Sequence, residues 1–342
     1  MKRFLACLLL GASTTVYAQA PDAVIEAAAS MRDRALEENR AYDTLTSLLT
    51  EVGPRFAGTP GDAAAVAWAL RTLRDAGLHN VRAEPVEVPR WVRGEVEVEI
   101  TGPFPQPLVA LALGGSVGTP DEGIEAPVLM VTDPDALRAL PESEVAGKIV
   151  FYNRRMEREQ DGTGYGRTVR NRGEGAAVAA QRGAVGVVIR SVGTSNARVA
   201  HTGSMRYQDA IAQIPAAAIS NPDADTLQRQ VDSGRQVTLR MHLTSRMLGT
   251  ARSANVVGEI PGRGPRANEI VLLGAHLDSW DITPGAHDDG AGVAIVIEAA
   301  RMIGAQRRNP AYRCSTSDRT CVATSTSTIR STTRSTRLTP QS

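Results

Sequence analysis

Apolar residues fall into four textures along the chain. A short apolar run at the start gives way to helical spacing over about residues 21–52. The turn VGPRFAGTPG at 52–61 ends that pattern with two prolines and three glycines. A second helix is predicted from Asp62 as N-cap, with Val66, Leu70 and Leu73 on one face and Gly77 as its stop. GEVEVEI (Gly94–Ile100) alternates apolar and acidic residues, as a half-buried strand does, and the proline-rich Thr101–Pro107 follows. From about Gly118 to Leu248, short apolar runs (APVLMV, GKIVFY, GAVGVVI, IPAAAI, QVTLRMHL) alternate with turn signals and one alanine-rich helix, Gly175–Gly183. That texture predicts a compact β-rich module inserted between two parts of another domain. After Ser253, longer α/β units return: SANVVGEI, EIVLLGAHLD, and a helix from about Gly290 to Ile303.

The predicted fold class is therefore α/β, a mixed sheet flanked by helices and interrupted by the inserted module. The segments are 1–20, 21–117, 118–251 for the insert, 252–308, and 309–342. The first, MKRFLACLLLGASTTVYAQA, has Lys2 and Arg3, an apolar run to Leu10, and small residues at Ala18 and Ala20. It has the form of a signal peptide, too short to span a bilayer, and predicts a secreted or periplasmic protein. Beyond Cys7 the only cysteines are Cys314 and Cys321, so the body of the chain relies on packing rather than disulfides. A formal net charge of +1 over 342 residues points away from nucleic acid or an anionic membrane as partner. The cations are nearly all arginine, with Lys2 and Lys148 the only lysines.

The candidate chemistry lies in VLLGAHLDSWDITPGAHDDGAG, Val271–Gly292. An apolar run of the kind buried on both faces of a parallel sheet ends in His276, and functional groups gather beyond the carboxyl ends of such strands. Imidazole and carboxylate suit zinc. Asp278 projects to the same side and can accept the other imidazole N–H, fixing the tautomer. Asp288, fed in by Pro284-Gly285-Ala286, can bridge two ions. The plainer alternative is that DDGAG only starts a helix, with acids at its N-terminus. His201 and Tyr207 admit either a contact with the active site or bonding within their own module, the second being favoured. His287 sits beside Asp288, while His79 and His242 have no carboxylate pattern. GGSVG (Gly114–Gly118) matches a nucleophile elbow with Ser116, but a loop rather than a helix follows it.

With these residues assembled, the chain resembles the M28 family of zinc exopeptidases, most closely its carboxypeptidase Q branch. GAHLDSWD and GAHDDGAGVA carry the resemblance, and VGPRFAGTPG, EPVEVPRWVRGE, GGSVGTPDEGIEAPVLMVT and HTGSMRYQDAIAQIPAAAI extend it in the same order. It implies a zinc-exopeptidase sheet with an inserted protease-associated-type cap. It implies two Zn(2+) ions, with His276 and Asp288 as metal ligands and Asp278 orienting the histidine. It also implies a cis bond at Asp288-Asp289, a peptide substrate and, by analogy, a homodimer. The family's later Glu-Glu pair, aspartate and histidine have no counterpart. Beyond Asp289 the only carboxylates are Glu298 and Asp318, and histidine is absent. Sixteen of the thirty residues from Arg313 to Ser342 are Ser or Thr, a composition that cannot pack a core. The expectation is a shifted reading frame near Arg307–Asn309, the C-terminal part of the sheet missing, and an inactive peptidase. A non-catalytic, exported peptide-binding remnant is the alternative.

Overall fold

Helical spacing after residue 21 produces α1 (Asp22–Glu38) and α2 (Ala41–Ser47), and α2 runs into a π-helical turn at Leu48–Val52. The computed structural model describes residues 22–208, 211–262, 267–308 and 319–325. The expected signal segment 1–20 and the tail residues 309–318 and 326–342 lie outside them.

α3 (Pro60–Asp75) begins two residues before the expected cap. Proline's fixed φ suits a first helical position, and Asp62 is buried inside the first turn instead of capping it. Gly77 ends the helix region in a left-handed conformation, as expected of a stop. A long strand, β1 (His79–Val92), follows where no strand was predicted.

The chain divides into two compact units. One takes the chain up to Phe56, Pro60–Val86 and the residues from Ala254; the other takes Ala57–Thr59 and Glu87–Ser253. In the second unit, β2 (Val96–Gly102), β3 (Gln106–Leu108), β4 (Ala110–Ala112) and β5 (Ile124–Val131) precede the short helices α4 (Pro134–Arg138) and α5 (Glu142–Val145). β6 (Ile149–Tyr152), α6 (Thr163–Gly173), α7 (Gly175–Gln181), β7 (Gly186–Arg190), β8 (Ala216–Ile219), α8 (Asn221–Asp232) and β9 (Thr238–Leu243) complete it. Its sheet runs β3-β2-β9-β5-β6-β7-β8-β4. β5 to β8 are parallel neighbours, and β6, β7 and β8 are buried throughout. The unit therefore starts near Glu87 rather than Gly118, because β2 and β4 hydrogen-bond into the sheet through β9 and β8.

The first unit is completed by β10 (Arg246–Ile260), β11 (Ile270–His276), a π-helical turn at Ala286–Gly290, α9 (Ala291–Arg308) and β12 (Arg319–Ser325). Its sheet order is β1-β10-β12-β11. The core gathers Leu48 before α3, Trp68 and Leu73 on it, Val256 on β10, and Val293 and Ile297 on α9. The spacing of Val293, Ile297 and Ala300 is one helical face turned inward, all at most 2% exposed.

Two expectations fail here. The tail, read as unable to pack, supplies β12, which pairs antiparallel with β10 and parallel with β11, His276 lying opposite Ser325. RTCVATS contains Val and two Thr, β-branched residues that favour extended backbone whatever the composition around them. Conversely, β11 is not buried on both faces: Ile270, Val271 and Leu272 are 53%, 47% and 64% exposed.

Candidate active site

β11 ends at His276, whose ring is held from two directions. Nδ1 lies 3.0 Å from the main-chain oxygen of Asp278 and 3.4 Å from its carboxylate Oδ1. The main-chain carbonyl is thus the nearer partner of the ring N–H, with the carboxylate behind it. Nε2 lies 2.9 Å from Oδ1 of Asp288. Asp278 is nearly buried, with its side chain 4% exposed, whereas that of Asp288 is 74% exposed. The Asp278 carboxylate is the main reason why the His276 pKa is pushed up to about 9; burial opposes this and Asp289 adds to it.

The Asp288 turn is shaped by glycine. Gly285 has φ +59°, and a Cβ there would meet Ser279 Cβ at 2.5 Å and the Asp288 carbonyl at 2.8 Å. The Asp288-Asp289 peptide bond is cis, as the resemblance implies. The Asp289 carboxylate accepts from the backbone N–H of His276 at 3.1 Å. It occupies the space that a side chain at Gly292 would fill, 2.1 Å from an ideal Cβ. The acid pair therefore does more than start α9: Asp288 faces the histidine ring and Asp289 fastens the turn to the strand end.

Arg55, which sequence reasoning passed over, joins the two segments. Its side chain is fully buried. Nε donates to the Leu277 carbonyl, Nη1 to Pro284 and, at 3.3 Å, to Gly53, and Nη2 to Gly285 at 3.2 Å. Its own backbone exchanges bonds with Ser279: Arg55 N donates to Oγ at 3.1 Å, and Ser279 N donates to the Arg55 oxygen at 3.3 Å. Burial lowers the guanidinium's pKa from its usual value, against the pull of Asp278 and Asp289. Beside it Phe56 stacks on Trp280, ring centroids 5.3 Å apart. The one signal in sequence was an arginine set among the prolines and glycines of VGPRFAG.

Two donors on one tetrahedral zinc lie roughly 3.4 Å apart, given metal bonds of about 2.0–2.2 Å. The 2.9 Å between His276 Nε2 and Asp288 Oδ1 is a hydrogen-bond contact about 0.5 Å shorter than that separation, so a slight opening of this pair would let it take two corners of a zinc site. Among the described residues, no group of three or more His, Cys, Asp or Glu gathers. Glu298 is engaged elsewhere. It accepts from Arg301 at 2.7 Å and from the Arg40 backbone at 3.1 Å, and although burial opposes the charge, these donors hold its pKa below the usual range.

The remaining sequence candidates stay within the second unit or at the surface. Ser116 is 1% exposed, donating to the Val117 carbonyl and accepting from Ala216 N, which leaves no open nucleophile. His201 bonds through its backbone to Ser191, and Tyr207 donates to the Ile214 carbonyl, both within their own unit. His287 and His79 are exposed, and His242 is partly buried on β9.

The comparisons with known proteins place the chain in a family. The model of peptidase family M28 matches residues 255–315, and that of the PA domain matches residues 106–227. Carboxypeptidase Q of Homo sapiens is 39% identical over 266 residues, 78% of this chain and 55% of that protein. The solved structure of a peptidase M28 precursor from Shewanella amazonensis is 42% identical. It superposes with a TM-score of 0.82 and covers 89% of this chain and 67% of its own. The chain belongs to peptidase family M28. A zinc aminopeptidase from Bacillus subtilis, 22% identical with a TM-score of 0.57, shares the fold over 83% of the chain. This M28 chain spans about half the length of the curated relatives it matches. No helix among its described residues is long and apolar enough to cross a membrane.

Proposed function

We propose that the chain is an exported zinc exopeptidase of the M28 type, acting on dipeptides or short peptides at the carboxyl end of β11. The observation that carries this reading is the approach of His276 Nε2 to Asp288 Oδ1, 2.9 Å apart on two separate segments. Family membership and the zinc aminopeptidase neighbour support it. In this assignment His276 and Asp288 hold zinc, and the exposed carboxylate of Asp288 is open to a second ion. Asp278 orients the imidazole, its main-chain carbonyl accepting a hydrogen bond from Nδ1–H so that Nε2 presents its lone pair. Bound zinc supplies a Lewis acid for the scissile carbonyl and an acidified water. The leader with Lys2, Arg3 and the apolar run to Leu10 supports export.

The test is metal binding by the full chain. In equilibrium titration with Zn(2+), followed by competition with a weak chelator, the wild type should bind metal. His276→Ala and Asp288→Ala should each lose at least tenfold in affinity, and any dipeptide hydrolysis should fall with them and vanish with chelator. Undiminished zinc in both variants would show that the donors are misassigned.

A second reading is favoured by the absence of a three-donor group among the described residues. It is an exported module that binds peptides without cleaving them. Dipeptide binding that survives chelator, with no turnover, would select it.

A further inference from the structure

We infer that Arg55 is a positioning residue of the candidate metal site, fixing the distance between the end of β11 and the Asp288 turn and so setting zinc affinity. This rests on the reading that His276 and Asp288 hold the metal. The partners of the guanidinium are distributed in a way that a merely structural arginine would not need. Leu277, whose carbonyl accepts from Nε, is the residue after His276; Pro284 and Gly285, which accept from Nη1 and Nη2, lie just before Asp288. One planar fork thus grips both donor-bearing segments by the main chain, where side-chain rearrangement cannot relieve a shift.

Burying a cation costs several kcal/mol unless its hydrogen bonds are satisfied, so this arrangement is tightly specified. Arg55 has no exposed surface, and the hydrogen-bond partners of its side chain are all carbonyl oxygens. Lysine offers three donors from a single point and cannot span carbonyls on three sides, so Arg55→Lys keeps the charge and loses the geometry. Metal bonds tolerate errors of about 0.2 Å, so even a small loosening of the turn separates the donors. Glycines make room for the fork: a Cβ at Gly290 would lie 2.8 Å from the Gly285 carbonyl and 3.4 Å from Arg55 Nη2.

The experiment compares wild type, Arg55→Lys, Arg55→Ala and Arg190→Lys as full chains. Arg190 is an equally buried arginine of the other unit, bound to Asn153 and Asp225, and serves as the control for loss of a buried guanidinium. Two quantities are read: amide hydrogen exchange over residues 277–290 in metal-free protein, and zinc affinity by chelator competition. In Arg55→Lys, exchange over 277–290 should rise about tenfold or more while the other unit is unchanged, and zinc affinity should fall on the order of 10–100-fold, as for other residues that orient metal ligands. Added guanidinium ion should restore part of both in Arg55→Ala but not in Arg55→Lys. Unchanged exchange over 277–290 in Arg55→Lys, or an equal loss of zinc affinity in Arg190→Lys, overturns the inference. Should Arg55→Lys loosen 277–290 while His276→Ala leaves zinc affinity untouched, the zinc assignment fails and the positioning role stands.

Discussion

His276 is asked to hold a proton and to give it up. Its neighbours favour the imidazolium: in the metal-free fold the pKa is pushed up to about 9, first by Asp278. Because the folded value exceeds the unfolded one, protonated His276 stabilises the fold fully below about pH 6.5, and that contribution is lost as pH rises through about 9. Zinc requires the neutral ring, so proton and metal compete. Zinc affinity should therefore climb about tenfold per pH unit between 7 and 9 and level off above, as measured by competition titration at fixed ionic strength. Asp278→Asn removes the largest cause of the shift. In that variant the His276 ring protons, followed by NMR in chelator-treated protein, should titrate nearer 6.5, and the climb in zinc affinity should end correspondingly earlier. A titration still centred near 9 would mean that Asp289, not Asp278, controls the ring.

At the level of elements, β11 explains both what could be read in advance and what could not. Its apolar run, its end at His276 and the spacing to Asp278 and Asp288 are local features, and local features survive in sequence. The burial of that strand is not local. Ile270, Val271 and Leu272 alternate across its two faces yet all stand about half exposed, because burial depends on what packs above and below. β12 was hidden by a composition that resembles a disordered tail, although seven of its residues pair in register with β11. Arg55 was hidden because, apart from Gly53, its side-chain acceptors lie 222 to 230 positions away, and all are main-chain oxygens, which no residue pattern marks. The compact second unit reaches back before Gly118 because β2, legible alone as a strand, and β4, only three residues long, pair with β9 and β8, a long-range relation that no local pattern marks. β11 is also the last strand of its sheet among the described residues. An edge strand with exposed Ile, Val and Leu is a template for association. Light scattering of the purified chain should show concentration-dependent growth, and Leu272→Glu should suppress it. Unchanged growth in that variant would place the sticky surface elsewhere.

Among the described residues, a well-packed second unit stands with a sparse candidate reaction centre in the first. The second unit has a fully buried set of parallel strands, β6 to β8, and within it the Ser116 and Tyr207 hydroxyls donate to main-chain oxygens. The first unit brings His276 and Asp288, the proposed zinc donors, to 2.9 Å of each other beside Asp278 and Arg55, but the chemistry of peptide hydrolysis asks for more than is gathered there among the described residues. Two protein donors leave a zinc ion weakly held, since catalytic sites use three with the fourth position open. A carboxylate is also needed to take the proton from attacking water, and its loss typically costs about 10²–10⁴-fold in rate. Glu298, the one glutamate on α9, is neutralised by Arg301 and the Arg40 backbone and is 6% exposed, so it cannot serve. The expected outcome is dipeptide turnover at least about 10²-fold slower than that of human carboxypeptidase Q assayed beside it at saturating zinc. Glu298→Gln should leave the residual rate unchanged while lowering thermal stability, because it breaks a buried ion pair and not a catalytic contact. Matching rates for the two proteins, or a residual rate abolished by Glu298→Gln with the fold retained, would show that the reaction centre is assembled from groups other than those gathered around His276.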